Sequence, residues 1–502
     1  MKYSTHPSRY RELSLWVTGA LTSVIAGVVA SAGDPRLDLL FVGALAGLVT
    51  SLFPLALFWA GIVVSFVLAG LAQLYYPPLE LIRWAILPIS AMLVVHVVIQ
   101  QVQMSRTHSG RDHTPLIIWL LVAFILANIL SALMNSEDLS TLATGMKGYF
   151  QAWGLIFAMA LYDWKDDLMK KQLPKAIWLL ALLQLPFVLH QYFFVVPGRH
   201  GLIKGIVPLD IVSGTFGGSF EGGGANAVLA AYLFVVWSCA LALWKNGILS
   251  TGRTLVASAI LLAPVMINEA KVSVVYVVVV FMVIFRRGIL QNLSRFIGVG
   301  ILTMAVVAVM FIAYIKQAPE GKVSSWSDLI TYTIEYNTAD SDTEDGKLSR
   351  GAVMKLWWDD HGSVANTLFG YGVGVSRSDD HNYLAQKLGI SDPLSYGVGN
   401  LASVAILWES GLVGFAIITA LFAVAFRDAT TLEKRFRNDK RQSAIFLGLQ
   451  GAVTVLYVSL WHKNFFVFHI GYQAIVVVLL GYLVYWLRQP EPRGLTYRTE
   501  LD

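Results

Sequence analysis

The segment LSRGAVMKLWWDDHG (348–362), followed by TLFGYGVGVS (367–376), HNYL (381–384) and WESGLVGF (408–415), is the most informative part of this chain. It combines an arginine, two tryptophans, acidic residues beside histidines and a run of glycines, and long apolar stretches lie on both sides of it. In a membrane protein, polar chemistry lies where water and lipid headgroups reach it. The segment therefore predicts a functional site between membrane-spanning helices.

The composition indicates an all-α polytopic integral membrane protein. Of the 502 residues, 56% are hydrophobic and only 14% are charged, whereas a soluble domain carries about 25% charged residues. Many apolar runs approach or exceed the roughly 20 residues that cross a bilayer. The single cysteine, Cys239, excludes an intrachain disulfide. A net charge of +5 gives no indication of a nucleic-acid partner, and the bilayer itself is the expected environment.

Hydropathy predicts fourteen spans, at residues 14–32, 37–52, 54–75, 80–103, 116–134, 147–162, 176–196, 224–244, 253–268, 272–286, 296–315, 401–426, 443–461 and 465–487. Lys and Arg are concentrated in both tails and in alternate loops, which identifies that side as cytoplasmic. An even number of spans places both termini there. In a bacterium with two membranes, the protein lies in the inner membrane and the long loop faces the periplasm.

This topology gives an N-terminal membrane domain (1–315), a large periplasmic loop (316–400), C-terminal spans (401–487) and a cytoplasmic tail (488–502). No internal repeat of the transporter type is present in the sequence. The loop is predicted to be helical over 351–358, and its remainder is rich in Gly, Asp and Ser. A loop of this length is uncommon unless it is functional.

Few basic residues lie on the predicted outer side, so each is a candidate ligand for an anion. Lys271 follows a tight turn between two spans, where it forms either an interfacial pair with Glu269 or a phosphate contact. Arg199 and Lys204 lie in the glycine-flanked sequence GRHGLIKG. The next stretch, SGTFGGSFEGGGAN (213–226), is a glycine-rich entry into a helix, which can present free N–H groups to an anion.

In the long loop, Arg350 is the candidate for binding a phosphate through two parallel hydrogen bonds. Trp357, Trp358 and Tyr371 offer aromatic faces for sugar rings, although such residues are equally common at headgroup level. The candidate bases are His361, His381, Asp359, Asp360, Asp379, Asp380, Glu409 and Glu221. No spacing of His, Cys or acidic residues predicts a metal site, and no cofactor is expected.

Four motifs occur in a characteristic order. The first comprises Gly214, Thr215, Phe216, Gly217 and Asn226; the second is the basic residue Lys271 at a span end. The third comprises Arg350, Trp357 or Trp358, Leu368, Gly370, Gly372 and Gly374; the fourth comprises Glu409, Gly411, Leu412 and Gly414. Over about 200–426 the chain thus resembles the O-antigen ligase and O-antigen polymerase superfamily of bacterial membrane glycosyltransferases. The N-terminal half is similar only in hydropathy.

The resemblance implies a GT-C-like fold and an undecaprenyl-pyrophosphate-linked oligosaccharide as donor. It implies Arg350, Lys271, His381 and Glu409 as catalytic residues. It also implies Lys204, Arg199, Glu221, Trp357, Trp358 and Tyr371 as contacts to pyrophosphate or sugar. Chain-length regulators or export proteins are the further partners. The histidine-asparagine pair of the ligases is expected at the position of Gly399-Asn400, and the HN dipeptide of this chain lies about twenty residues earlier. We therefore favour polymerisation of repeat units into O-antigen or exopolysaccharide.

Three alternatives remain. An O-antigen ligase would use lipid A core, or a protein, as acceptor. A lipid-linked glycan flippase or other transporter would place ionisable residues at mid-membrane between repeats, whereas here they cluster at the outer rim. A scaffold of an export complex would make no product.

Overall fold

The computed structural model describes residues 51–105, 114–135, 139–199, 208–220, 223–268, 270–291, 293–317, 348–360, 362–377 and 397–489, together with a few isolated positions. The chain divides into two units, Met1–Ala60 and Gly61–Asp502. In the first unit, Phe58 and Trp59 make an edge-to-face contact with ring centroids 5.6 Å apart. All contacts discussed below belong to the second unit.

The described residues are helical and contain no strand. The first helices are α1 (Pro54–Tyr75), α2 (Pro77–Gln103), α3 (Leu116–Met134), α4 (Leu139–Phe150), α5 (Trp153–Leu161) and α6 (Leu168–Arg199). They are followed by α7 (Asn226–Lys245), α8 (Thr251–Ile267), α9 (Ser273–Gln291) and α10 (Leu293–Gln317). The last are α11 (Arg350–Asp360), α12 (Val364–Phe369), α13 (Ala402–Arg435), α14 (Lys440–Ser459), α15 (Phe465–Phe468) and α16 (Ile470–Leu487).

Within the described ranges, eight helices are long and apolar enough to cross a membrane: α1, α2, α3, α6, α7, α13, α14 and α16. α3 shows the pattern, since Trp119, Leu126 and Leu133 are 60%, 59% and 71% exposed, as expected for a face that contacts lipid. The multi-pass, all-helical class is therefore confirmed. The number fourteen stays a prediction, because spans 14–32 and 37–52 lie almost entirely outside the described residues.

The predicted span 147–162 is interrupted in the structure. The run 147–162 forms two helices, α4 and α5, with a turn at Gln151 and Ala152. The Ser90 hydroxyl of α2 donates to the Gln151 carbonyl at 2.8 Å, which replaces a bond that a continuous helix would make. The predicted turn after residue 267 and the predicted helix over 351–358 are both present, the latter as α11.

The interior of the bundle is built on α7, α14 and α16, and nearly all residues of α7 and α16 are buried. α7 and α14 approach closely because glycines lie at their contact. A Cβ on Gly448 would lie 2.5 Å from the Cys239 Cα, and one on Gly451 would lie 2.4 Å from the Ser238 hydroxyl. Small residues of this kind are what allows membrane helices to pack backbone to backbone.

α13 is interrupted at Gly411, where φ is 63°. A break of this kind leaves carbonyl groups without helical partners, and in an apolar environment each must find another donor. The glycine turn (residues 370–374) supplies these donors. Tyr371 N–H donates to the Trp408 carbonyl at 2.7 Å, and Gly372 N–H donates to the Glu409 carbonyl at 3.2 Å. Ser131 of α3 also donates to the Glu409 carbonyl, at 2.6 Å.

The contact between the glycine turn and the break leaves no room for side chains. A Cβ on Gly411 would lie 2.4 Å from the Leu368 carbonyl, and a Cβ on Gly370 would lie 2.4 Å from the carbonyl carbon of Glu409. On its other side the turn contacts α4, where a Cβ on Gly145 would lie 2.4 Å from the Val373 carbonyl. The turn therefore lies between α13 and α4.

An apolar cluster attaches α11 to the same region. Val353 and Trp357 of α11 pack with Val404 and Trp408 of α13 around the ring of Tyr371. The rings of Tyr371 and Trp408 have centroids 5.6 Å apart. This packing fixes the start of α11, where Arg350 lies.

We predict that Gly411→Ala lowers the free energy of unfolding by about 2 kcal/mol or more, because the residue has a positive φ and its Cβ would overlap a backbone carbonyl. Thermal unfolding of the purified protein in detergent measures this. The matched control is Gly252→Ala near the start of α8, where a Cβ meets nothing within 4 Å. Equal melting temperatures for the two variants would show that the break does not need glycine.

Candidate functional site

The Ser213–Phe216 turn is held by two glutamines of α6. Gln191 accepts hydrogen bonds from the N–H groups of Ser213 at 3.0 Å and Gly214 at 2.8 Å, and donates to the Gly214 carbonyl at 2.6 Å. Gln184 accepts from Thr215 N–H at 2.9 Å. All of these side chains are buried. The turn is thus fixed inside the bundle by side chains that mimic a backbone partner.

These bonds change the interpretation of the glycine-rich stretch. The N–H groups of residues 213–215 are not available to an anion, because the glutamine oxygens accept them. Thr215 in turn donates its hydroxyl to the Phe66 carbonyl at 2.5 Å. Phe66 lies in a π-helical turn of α1 (Val64–Leu68), and such turns free backbone groups for other partners. The motif therefore ties α1 to α6.

Lys271 is positioned by a reciprocal pair of asparagines. Asn226 at the start of α7 donates to the Asn268 carbonyl at 3.1 Å, and Asn268 after α8 donates to the Asn226 carbonyl at 2.9 Å. The Asn268 side chain also accepts from Ala270 N–H at 3.1 Å. This clamp fixes the short α8–α9 connection that carries Lys271.

A cavity of about 340 Å³ opens at this end of the bundle, a volume within the usual range of small-molecule sites. Its lining residues come from α1, the start of α2, the Ser213–Phe216 turn and the segments around 400 and 465. They are Ala69, Gly70, Gln73, Arg83, Phe216, Gly399, Asn400, Lys463, Asn464, Phe465, Phe468, His469 and Ile470. Two cationic side chains, several amides and three phenyl rings therefore face one space.

Further cations lie near Lys463. Burial raises the pKa of the Asp210 carboxyl, and the positive charges of Lys463, Arg199 and Lys271 lower it. The charges of these three cations therefore all act on one carboxylate. Arg199 is 2% exposed and its Nε donates to the Phe220 carbonyl at 2.8 Å. Arg199 is the last residue of α6, Lys271 follows α8 and Lys463 follows α14, so the three cations are far apart in sequence.

His462 connects this group to the long loop. Burial lowers the pKa of His462 well below 6.5, and the charges of Arg350 and Lys463 lower it further. Arg350 begins α11, and the Ser349 hydroxyl caps that helix by accepting from Ala352 N–H at 3.1 Å. The structure thus places Arg350 beside the turn that carries Lys463. At neutral pH the His462 imidazole is therefore uncharged.

A second polar group lies at the break in α13. Glu409 is fully buried and accepts from the Ser376 N–H at 3.3 Å and the Ser376 hydroxyl at 2.5 Å. Arg377 donates to the Val467 carbonyl at 2.8 Å and lies over the Phe468 ring, 4.2 Å from its centroid. Burial raises the pKa of Tyr149, and the Glu409 carboxylate raises it further. Arg377 therefore links the helix break to a wall of the cavity.

The candidate residues from the sequence fall into four sets. The charges of Arg199 and Lys271 act on Asp210 and that of Arg350 acts on His462, and Lys463 acts on both groups. Glu409 lies at the helix break and, among described residues, is not one that lines the cavity. Trp357 and Tyr371 are 4% and 2% exposed and belong to the apolar cluster, whereas Trp358 is 70% exposed. Lys204, Glu221 and His381 lie outside the described residues.

Several residues of the site were not singled out from the sequence: Arg83, Asp210, Lys463, His462 and Arg377. Lys463 had a usable signal, since it is a cation in a short loop of the predicted outer side. Arg377 directly follows the recognised glycine motif. Arg83 lies within a predicted span, and no pattern distinguishes it from an interfacial arginine.

Comparison of the sequence with profiles of known protein families and with characterised proteins found no match.

We predict a pH dependence of stability that depends on His462. Since its pKa in the folded protein is lowered below 6.5, the unfolded chain binds the proton more tightly, so stability is retained above pH 6.5 and falls as the pH decreases below it. Between pH 7.5 and 5.5 this costs about 1 kcal/mol. Thermal unfolding of wild type and His462→Gln across this range measures the effect.

The variant should lose less stability on acidification than wild type, while His190→Gln, which changes an exposed histidine of α6, should behave as wild type. If His462→Gln and wild type lost stability in parallel, the imidazole would not be held neutral by its surroundings.

Proposed function

We propose that this chain is a bacterial inner-membrane glycosyltransferase of GT-C-like fold, with fourteen spans, that polymerises lipid-pyrophosphate-linked oligosaccharide repeat units into a surface polysaccharide. The product is O-antigen or exopolysaccharide, made at the periplasmic face. One observation carries the proposal: Lys463 lines a cavity with aromatic and amide walls in an apolar helix bundle, and the charges of Lys463, Arg199, Lys271 and Arg350, from distant parts of the chain, act on Asp210 and His462.

In the proposed reaction an acceptor hydroxyl attacks the anomeric carbon of the donor sugar. A glycosidic bond forms as the bond between that carbon and the pyrophosphate oxygen breaks, through an oxocarbenium-like transition state. The electron pair leaves with the undecaprenyl pyrophosphate, on which negative charge grows. Lys463, Lys271, Arg199 and Arg350 are the fixed cations that stabilise this charge, and the removal of one such donor typically costs about 10²–10³ in rate.

The acceptor proton needs a base late in the reaction. His462 is neutral at pH 7 and precedes Lys463, which lines the cavity. We assign it this role among the described residues, with His381 and Glu221 as further candidates from the sequence. The phenyl rings of Phe216, Phe465 and Phe468 offer apolar faces on which sugars stack.

Purified protein in lipid nanodiscs, supplied with lipid-pyrophosphate-linked repeat units, is expected to lengthen the glycan, as read by mass spectrometry. Lys463→Gln, Lys271→Gln and Arg350→Lys should each slow chain extension by about 10²-fold or more. Arg253→Gln is the matched control, because Arg253 is an exposed cation at the start of α8, and it should retain the wild-type rate.

Unchanged rates in the three variants would contradict the proposed site. Transfer of glycan to lipid A core without chain extension would identify a ligase. Movement of the labelled substrate across the bilayer without any new glycosidic bond would identify a transporter.

A further inference from the structure

The cavity has a second cationic group that the proposed reaction does not use. Arg83 lines the cavity from the first turns of α2. It pairs with Glu80 at 2.7 Å, and the two side chains are 47% and 36% exposed. An ion pair exposed to this degree holds its partners weakly. The guanidinium group has five N–H donors, so the pair leaves most of them for another acceptor.

Lys147 lies beside Arg83. Its ammonium nitrogen is 2.9 Å from the centroid of the Trp84 ring, the residue after Arg83. Lys147 belongs to α4, which is too short to cross a membrane. The face of the Trp84 ring holds the Lys147 ammonium group where α4 meets the start of α2.

Arg377 brings a third positive charge to the same turn of α4. It donates to the Thr144 carbonyl at 3.2 Å, and a Cβ on Gly148 would overlap its guanidinium group. Its other face lies on Phe468, which lines the cavity. Glycine at 148 is therefore what lets Arg377 approach Lys147.

Positively charged side chains near Lys147 disfavour its charged form. Burial lowers the pKa of Lys147 to about 8, and the positive charges of Arg83 and Arg377 contribute to the decrease. Among the described residues, Glu80 pairs with Arg83 and the charge of Glu409 acts on Arg377. A bound anion beside Lys147 and Arg83 would offset the repulsion and raise the pKa of Lys147.

We propose that Arg83 and Lys147, with the face of Trp84, form a second anion-binding subsite where Arg83 lines the cavity, distinct from the Lys463 group. It takes a phosphate or carboxylate group of the glycan substrate, other than the leaving pyrophosphate. The planar guanidinium fork binds two oxygens of such a group, and the ammonium adds a point charge. Its assignment to the glycan rests on the proposed function, whereas the anion site itself does not.

The test is the pH profile of Lys147 acetylation by acetic anhydride in the purified full-length protein, measured by peptide mass spectrometry. Without ligand the midpoint should lie near pH 8. Millimolar inorganic pyrophosphate, or millimolar glucuronate, should raise it by roughly half a unit or more. A response to pyrophosphate alone assigns the subsite to phosphate groups, and a response to glucuronate assigns it to sugar carboxylates.

Three variants make the result specific. Arg83→Gln should abolish the ligand-induced shift, Arg83→Lys should weaken it, and Lys463→Gln should preserve it, each in protein that elutes as wild type. The proposal is overturned if neither anion moves the midpoint, if the shift persists in Arg83→Gln, or if it disappears in Lys463→Gln. Because labelling needs no glycosyl transfer, these failures are separate from a failure of chain extension.

Discussion

The interaction on which the site depends is the contact between the break in α13 and the glycine turn. A helix that stops inside an apolar bundle exposes backbone carbonyls, and these are costly unless they are paired. Here Tyr371 and Gly372 supply the N–H groups, and Gly370 and Gly411 allow the two backbones to touch. The polar segment is thereby attached to the membrane-spanning bundle through its backbone.

That attachment has consequences in two directions along the chain. Before the turn, Trp357 and Val353 pack against α13 and fix the start of α11, where Arg350 lies. After the turn, Arg377 reaches α4 and the wall of the cavity. The same short motif thus positions cations for two groups, one beside His462 and one beside Lys147. Lys271 depends instead on the Asn226–Asn268 clamp, which fixes the connection that carries it.

Hydropathy, charge bias and turn residues were enough to predict the helical membrane class, the α11 helix and the short connection that carries Lys271. They were also enough to single out Arg350 and Lys271, because a cation in an apolar chain is conspicuous. They could not predict that Tyr371 and Trp357 are core residues. An aromatic residue in a polar loop has the same local pattern whether it packs inward or faces a ligand.

The contacts between residues from distant parts of the chain could not be predicted from the sequence either. Gln184 and Gln191 look like ordinary polar residues of a span, yet they satisfy the backbone of a turn more than 20 residues later in the chain. Arg83 and Lys147 are separated by two spans, and only the packing of α4 against the start of α2 places them together. Such pairings come from tertiary packing, and no local sequence pattern shows which distant residues will meet.

The most direct measurement of the central claim is the binding of inorganic pyrophosphate to wild type and to Gly370→Ala, by calorimetry on the monodisperse fraction of each. If the glycine turn positions the cations of the cavity, the folded variant should bind pyrophosphate at least about tenfold more weakly than wild type, a loss of about 1.4 kcal/mol. Equal affinity in the two proteins would show that the cation cluster forms without the turn, and would contradict the account.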